Sequence, residues 1–115
     1  MNRKKELKLQ YKLMRPEMGV FSILSKTNKK CYIEATKDLK SRINMTKFKL
    51  EIGKHPVITL QKDWENLGKD SFSIEILEEL KYSEDEAKID YQEDLDLLKM
   101  IWTDRLLKDN FEFYQ

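Results

Sequence analysis

Two β-prone runs that are separated by only four polar residues place the strongest constraint on how this chain folds. The first run, residues 19–25, reads GVFSILS, and the second, residues 30–34, reads KCYIE. Val, Phe, Ile and Tyr favour the pleated, half-buried surface of a strand, whereas the KTNK between the runs has the polar composition of a tight loop. The pattern predicts a β-hairpin and argues against an all-helical bundle.

Alternation of side chains along the hairpin assigns its residues to two faces. Phe21 and Ile23 share one side of the first strand, and Tyr32 and Glu34 share one side of the second. Cys31 points away from Tyr32, and we expect it to be a small buried hydrophobic residue.

The middle of the chain predicts two helices and a third strand. Apolar residues at helical spacing favour a helix over about 37–50, with Thr36 as its N-cap. A second, shorter helix is expected over 57–67, and Gly68 ends it. Residues 71–78, SFSIEILE, alternate between apolar and polar as a half-buried strand does.

A long helix is predicted near the C-terminus, over about 84–108. Ser83 and Glu86 form the S-x-x-E pattern of a capping box at its start. Its apolar stripe has spacings of three or four residues: Ala87, Tyr91, Leu95, Leu98, Trp102 and Leu106. Residues 110–115, NFEFYQ, are expected to pack locally or fray. The elements together predict an α/β chain of the α+β type, with a small three-stranded antiparallel sheet flanked by helices.

Charge is divided unevenly along the chain. Residues 1–62 hold 16 Lys or Arg and 5 Asp or Glu, a net charge of +11, whereas residues 63–115 hold 6 and 16, a net charge of −10. Residues 2–14 are predicted to form a basic amphipathic helix. The division indicates a basic face for a polyanion or two halves of one fold that attract each other, and two simply solvated faces remain the alternative.

Composition excludes several classes of protein. The single Cys excludes an internal disulfide framework, and one Cys with one His excludes an ordinary structural zinc site. No apolar run is long enough to span a bilayer, and the basic N-terminus lacks the apolar core of a signal peptide. We therefore expect a cytoplasmic protein without a membrane partner, and 115 residues correspond to one domain.

Several blocks of the sequence resemble the GIY-YIG nuclease superfamily. GVF at residues 19–21 stands where that family has GIY, and YIE at residues 32–34 stands where it has YIG. Further blocks resemble the homing-endonuclease-like branch: TKDLKSR at 36–42, GKHP at 53–56, LQKDW at 60–64, FSIEILEEL at 72–80 and Trp102. The resemblance implies a GIY-YIG-like domain over 19–115, and residues 1–18 are interpreted as an added basic helical extension.

The resemblance also implies a mechanism. In the family a water attacks a DNA phosphodiester and a tyrosine of the first triplet helps to deprotonate that water. The second tyrosine and an arginine hold the phosphate charge, and a glutamate on the last helix binds one divalent metal ion. Fixed cations, hydrogen-bond donors and a metal are what developing charge on a phosphate requires.

Carried over to this chain, the resemblance retains Tyr32, Arg42 and His55 as site residues and finds two substitutions. Phe21 replaces the first tyrosine and has no hydroxyl to move a proton. Glu34 replaces the glycine of YIG and adds negative charge where a polyanion would bind. An Arg42–Glu34 salt bridge, a core-edge role for Tyr32 and a surface or capping role for His55 are the structural alternatives.

The metal-binding carboxylate is not fixed by the sequence. If Trp102 sets the register, the family's E-x-x-W spacing falls on Lys99, which has the opposite charge. Of the acidic residues upstream, Glu93 or Asp96 is the predicted ligand for Mg²⁺ if the protein is active. The alternative is that these carboxylates form the solvated face of the last helix.

Three functions are consistent with the sequence. Three positions that matter for the family's reaction carry residues that cannot perform it: Phe21, Glu34 and Lys99. We therefore expect a catalytically impaired nuclease-like protein that binds nucleic acid or acts in its regulation, and DNA is the first ligand to test. An active metal-dependent DNA endonuclease is the alternative. A protein-interaction or homo-oligomeric domain, held by its oppositely charged halves, is the third.

Overall fold

The computed structural model describes Arg3 and residues 15–115. Its elements, in chain order, are β1 (Met18–Ser25), β2 (Lys30–Thr36), α1 (Leu39–Glu51), α2 (Ile58–Leu67), a 3₁₀ turn (Lys69–Ser71), β3 (Phe72–Leu80), α3 (Gln92–Lys108) and β4 (Glu112–Phe113). The hairpin, both middle helices and the third strand are confirmed. The helix predicted over 2–14 lies outside the described residues, apart from Arg3.

One mixed sheet of four strands, in the order β3-β1-β2-β4, forms the centre of the domain. Strand β1 pairs antiparallel with both β2 and β3, whereas β4 pairs parallel with β2. The prediction of three antiparallel strands was therefore wrong in number. The fourth strand is held by two backbone bonds, Glu112 N–H to Lys29 O at 3.0 Å and Tyr114 N–H to Cys31 O at 2.9 Å, and a strand of two residues carries no alternation to recognise.

Gly19 lies where β1 and β3 approach each other most closely. A Cβ atom at this position would lie 2.1 Å from the backbone oxygen of Glu78, and the register between the strands shifts next to it, between Val20 and Phe21. The shift leaves Leu77 of β3 without a partner in β1, and an unpaired residue of this kind bends a strand and increases its twist. A residue without a side chain is therefore required at this point of the sheet.

The start of the long helix differs from the prediction. Helix α3 begins at Gln92 and not near residue 84, because side chains before it hold the backbone in turns. Ser83 Oγ accepts the N–H of Asp85 at 3.1 Å, and Asp85 Oδ1 accepts the N–H of Ala87 at 3.0 Å. Such local bonds compete with helix formation, so the S-x-x-E pattern did not act as a capping box here.

The N-cap of α1 also differs from the prediction. Asp38, and not Thr36, caps this helix, since Asp38 Oδ1 accepts the N–H of Ser41 at 3.1 Å. Thr36 Oγ1 instead accepts the N–H of Asp38 at 3.1 Å. The two bonds fix the chain as it passes from β2 into α1.

Buried side chains cover both faces of the sheet. On one face, against α1 and α2, the buried residues are Phe21, Ile23, Leu39, Leu50, Leu60, Phe72 and Tyr114. On the other face, against α3, they are Val20, Cys31, Ile33, Leu98 and Leu106. Cys31 is fully buried as expected. Within the described part of the chain, no helix has both the length and the apolar character needed to cross a membrane.

Candidate functional site

Strand β2 and helix α1 bring Tyr32, Glu34 and Arg42 into one cluster. Tyr32 and Glu34 are two residues apart on a strand and therefore share a face, and Arg42 lies in the first turn of α1. The Tyr32 hydroxyl donates to Glu34 Oε1 at 2.5 Å. The Arg42 guanidinium donates through Nε to Glu34 Oε2 and through Nη2 to Oε1, the second at 3.4 Å. One carboxylate thus engages both the hydroxyl and the cation.

The electrostatics of this cluster favour a protonated Tyr32 hydroxyl and a charged Arg42 guanidinium. The pKa of Tyr32 lies well above its usual value, first because burial disfavours the phenolate and then because the hydroxyl donates to Glu34 beside a negative charge. The pKa of Arg42 is raised by its hydrogen bond to Glu34 and by the charge of that carboxylate. In this arrangement Tyr32 is a neutral hydrogen-bond donor and Arg42 a cation.

His55 completes the cluster from the turn before α2. Its ring meets the Tyr32 ring edge-on, with centroids 5.3 Å apart and planes at 88°. Burial lowers its pKa below the usual value. Because Nδ1 accepts the N–H of Val57 at 3.1 Å, the neutral ring carries its proton on Nε2. The Nε2–H of His55 is consequently a donor, and the ring lies against Tyr32.

Gln61 holds the His55 turn in place, a role that sequence reasoning did not assign. Its Oε1 accepts the backbone N–H of His55 at 3.0 Å, and its Nε2 donates to the carbonyl of Leu50 at 3.0 Å. The side chain is buried and so ties α2 to the end of α1. The LQKDW block contained this residue, but periodicity alone gives no reason for a buried amide.

Phe21 lies beneath the cluster and not in the solvent-facing part of it. It is fully buried among apolar side chains and is the β1 partner of Glu34 in the sheet register. Tyr32 packs against the same apolar group. Phe21, which lies opposite Glu34, thus contributes apolar packing and no polar side-chain atom to the cluster.

An open cleft of about 370 Å³ lies beside the ion pair. Its walls come from β2, α1 and α3: Glu34, Ala35, Thr36, Lys37, Arg42, Gln92 and Leu95. Helix α3 presents an amide and an apolar side chain to the cleft, and Gln92 Nε2 donates to Asp96 Oδ1 at 2.8 Å. The predicted carboxylates Glu93 and Asp96 do not line this cleft, and Lys99 lines a separate groove. Gln92 was missed because three-dimensional packing, not spacing, selects the residue that faces β2.

Two solved structures are similar to this chain. One is the catalytic domain of the intron endonuclease I-TevI in a point mutant, with a TM-score of 0.65, 25% sequence identity, and coverage of 86% of this chain and 92% of that chain. The chain has a GIY-YIG-like fold. The other is the catalytic domain of the homing endonuclease I-TevI, with the same TM-score and identity and coverage of 85% and 98%. No family model matches the sequence, and no curated protein matches it.

The two motif triplets lie side by side in this GIY-YIG-like fold. GVF at 19–21 is on β1, YIE at 32–34 is on β2, and the strands pair antiparallel with Phe21 opposite Glu34. The similarity supports a nuclease-like domain. The resemblance inferred from the sequence is thereby confirmed at the level of the fold.

The donors at this cleft do not fit a Mg²⁺ site. Across Arg3 and residues 15–115, no three Asp, Glu, His or Cys side chains come together as ligands. The carboxylate that lines the cleft, Glu34, already binds Arg42 and Tyr32. Mg²⁺ requires several oxygen ligands, with carboxylates to balance its charge, and beside Glu34 the α3 wall of the cleft supplies one neutral amide, that of Gln92.

Proposed function

We propose that this chain is a nuclease-derived domain that binds nucleic acid through its basic surface and does not cleave it. The observation that carries the proposal is the bridging carboxylate of Glu34, which engages the Tyr32 hydroxyl and the Arg42 guanidinium together. These are the two donors that would otherwise hold a phosphate. A carboxylate in that place both occupies the donors and repels an incoming polyanion.

Loss of cleavage is further supported by the groups around the pair. Phe21 is buried and has no hydroxyl, so the β1 position cannot take a proton from water. His55 offers a donor nitrogen, because its other nitrogen is engaged by Val57. Gln92 stands on the α3 wall of the cleft, where an amide cannot replace the charge of a metal-binding carboxylate.

Binding of nucleic acid is supported by charge and by similarity. The similar structures are catalytic domains of endonucleases. Lys37 lines the cleft beside the ion pair, and the exposed Lys40 and Lys54 are close in sequence to Arg42 and His55. Contacts of lysine with phosphate release counterions and give an affinity that falls steeply with salt. We expect DNA binding with little dependence on sequence.

Binding of a short DNA duplex by fluorescence anisotropy, at two salt concentrations, tests the proposal. Glu34→Gln keeps the side-chain shape and releases Arg42, so we expect affinity to rise about three- to tenfold. Arg42→Ala in the Glu34→Gln background should remove the gain. Glu75→Gln, an exposed strand position, changes net charge equally and serves as the matched control. No binding by any variant, or equal gains from both glutamate substitutions, would contradict the proposal.

The alternative is an active endonuclease, and one observation favours it. Tyr32, Arg42 and His55 are all retained and lie together in the site. Incubation of plasmid DNA with the protein and Mg²⁺ or Mn²⁺ distinguishes the two functions. We expect no nicking. Nicking by the wild-type protein that Arg42→Ala abolishes would establish the endonuclease and overturn the first proposal.

A further inference from the structure

The outward face of α1 carries apolar side chains that the described part of the chain leaves exposed. The helix packs against the rest of the domain through its buried residues Leu39, Thr46 and Leu50. Its opposite side carries what we call the α1 stripe: Met45 (47% exposed), Phe48 (58%) and Ile52 (48%). These residues are three and four positions apart and therefore lie in line along the helix. A continuous apolar row of this kind is typical of an interaction surface.

Two rows of cations flank the α1 stripe. Each row has two members that are seven residues, about two turns, apart: Lys40 with Lys47 on one flank, and Arg42 with Lys49 on the other. Helix α1 holds these four cations and a single carboxylate, Glu51. The stripe adjoins the second row directly, since Arg42 Nη1 lies 4.0 Å from the sulfur of Met45. The outward face is therefore apolar along its middle and positively charged along both sides.

Charge and size select the partner of this face. A second copy that set its own α1 against it would bring cations to cations, which raises the free energy of the contact. Duplex DNA instead offers two phosphate backbones with a groove between them, one backbone for each row of cations. The major groove is about 12 Å wide, and an α-helix with its side chains is about 10 to 12 Å across. The floor of this groove also carries the methyl groups of thymine, which contact apolar side chains.

We propose that α1 lies in the major groove of duplex DNA, with the α1 stripe against the base pairs and one cation row along each backbone. The proposal rests on the proposed function, and it adds which surface binds and which groove that surface enters. Helix α1 has 13 residues and spans about 20 Å, which is long enough to contact several successive base pairs. Because Glu34 engages Arg42, the row of Lys40 and Lys47 holds its backbone more firmly than the other row does.

Removal of the aromatic ring is the first test, with an A·T-rich DNA duplex as the probe in fluorescence anisotropy. Phe48→Ala should weaken binding about three- to tenfold. Leu97→Ala is the matched control, because Leu97 has the same exposed fraction, 58%, but lies on α3. Equal effects of the two substitutions, or none from Phe48→Ala, would overturn the inference and leave the proposed function standing. Absence of binding by the wild type would overturn both.

The salt dependence of binding tests the cation rows. Lys47→Gln removes one phosphate contact, so the slope of log affinity against log salt should become shallower by about one. Lys99→Gln changes the net charge equally on an exposed position of α3 and should leave the slope unchanged. An unchanged slope for Lys47→Gln, or the same change in both variants, would overturn the inference.

Replacement of thymine by uracil in the probe tests the groove. Uracil lacks the C5-methyl group, which lies in the major groove, and keeps the same edge in the minor groove. The wild type should bind the uracil duplex about threefold more weakly, whereas Phe48→Ala should bind both duplexes equally. Equal wild-type affinity for the two duplexes would overturn the inference. A dimer without DNA, measured by sedimentation and abolished by Phe48→Ala, would show that a second copy covers the stripe and would overturn it as well.

Discussion

The carboxylate of Glu34 and the guanidinium of Arg42 form an ion pair between strand β2 and the first turn of helix α1. The two side chains are 16% and 41% exposed, so the pair is shielded from solvent only in part. Solvent-accessible pairs of this type contribute at most about 1 kcal/mol to stability. The pair therefore adds little to the stability of the fold, and its main consequence is that Glu34 engages the Arg42 guanidinium.

Gly19 should be among the least replaceable residues of the sheet. Gly19→Ala would set a methyl group 2.1 Å from the Glu78 oxygen, and the forced strand movement should cost at least about 2 kcal/mol in the free energy of unfolding. Urea unfolding measures the loss. Gly68→Ala is the comparison for backbone strain alone, because Gly68 has open space around it but φ of +83° and ψ of 154°, a conformation that costs other residues about 1 to 3 kcal/mol. A loss below about 1 kcal/mol for Gly19→Ala would contradict the close approach.

Ser22 should be replaceable with a gain in stability. Its Oγ is buried and, within the part of the chain that the structure describes, has no hydrogen-bond partner. Ser22→Ala removes a polar atom that gains nothing in the fold, so the free energy of unfolding should rise by up to about 1 kcal/mol. Ser25→Ala provides the contrast, since Ser25 Oγ lies 3.3 Å from Thr27 Oγ1 and shares a hydrogen bond with it. If Ser22→Ala destabilises the protein more than Ser25→Ala does, the hydroxyl of Ser22 has a partner.

Substitution of Gln61 should lower the free energy of unfolding more than substitution of an average polar residue does. Gln61→Leu keeps the volume, leaves the His55 N–H buried without its partner and removes one of the hydrogen bonds to the Leu50 carbonyl, which should cost about 1 to 3 kcal/mol. Chemical unfolding again gives the value. Gln92→Leu, on an exposed helix position, should change stability by less than about 0.5 kcal/mol. Equal effects of the two substitutions would rule out the bridging role.

Stability should fall in mild acid partly through His55. Burial lowers its pKa below the ordinary value of 6.5, so the unfolded chain takes up a proton at a pH where the folded chain does not. The unfolded state then binds more protons, and the free energy of unfolding decreases as the pH falls through that range. His55→Asn retains an acceptor for the Val57 N–H and cannot titrate. Its unfolding free energy should depend less on pH than that of the wild type between about pH 7.5 and about pH 5.5; parallel curves would exclude the effect.

Patterns within short stretches of sequence correctly predicted those helices and strands that depend mainly on their own residues. The hairpin, α1, α2 and β3 follow from apolar periodicity over a few residues, and alternation correctly put Tyr32 and Glu34 on one side of β2. The start of α3 was mistaken because Ser83 and Asp85 form turns of their own. Such turns use the same residue types as helix caps.

Only part of the site was predictable from the sequence, because contacts between distant residues complete it. The Arg42–Glu34 salt bridge that was expected as the structural alternative for Arg42 is present in the structure. Gln92 on the cleft wall and Gln61 beneath His55 depend on how α3 and α2 pack. Such contacts join residues that are far apart in sequence, and no spacing rule encodes them.

The burial of Cys31 makes this thiol a natural reporter of global opening. It lies at the centre of the sheet without solvent exposure, and burial raises the pKa of its thiol to about 11. Because the reactive form of cysteine is the thiolate, an alkylating reagent added in brief pulses would modify only molecules whose sheet has come apart. The fraction modified over time would then measure how often the native protein opens, without any substitution in the chain.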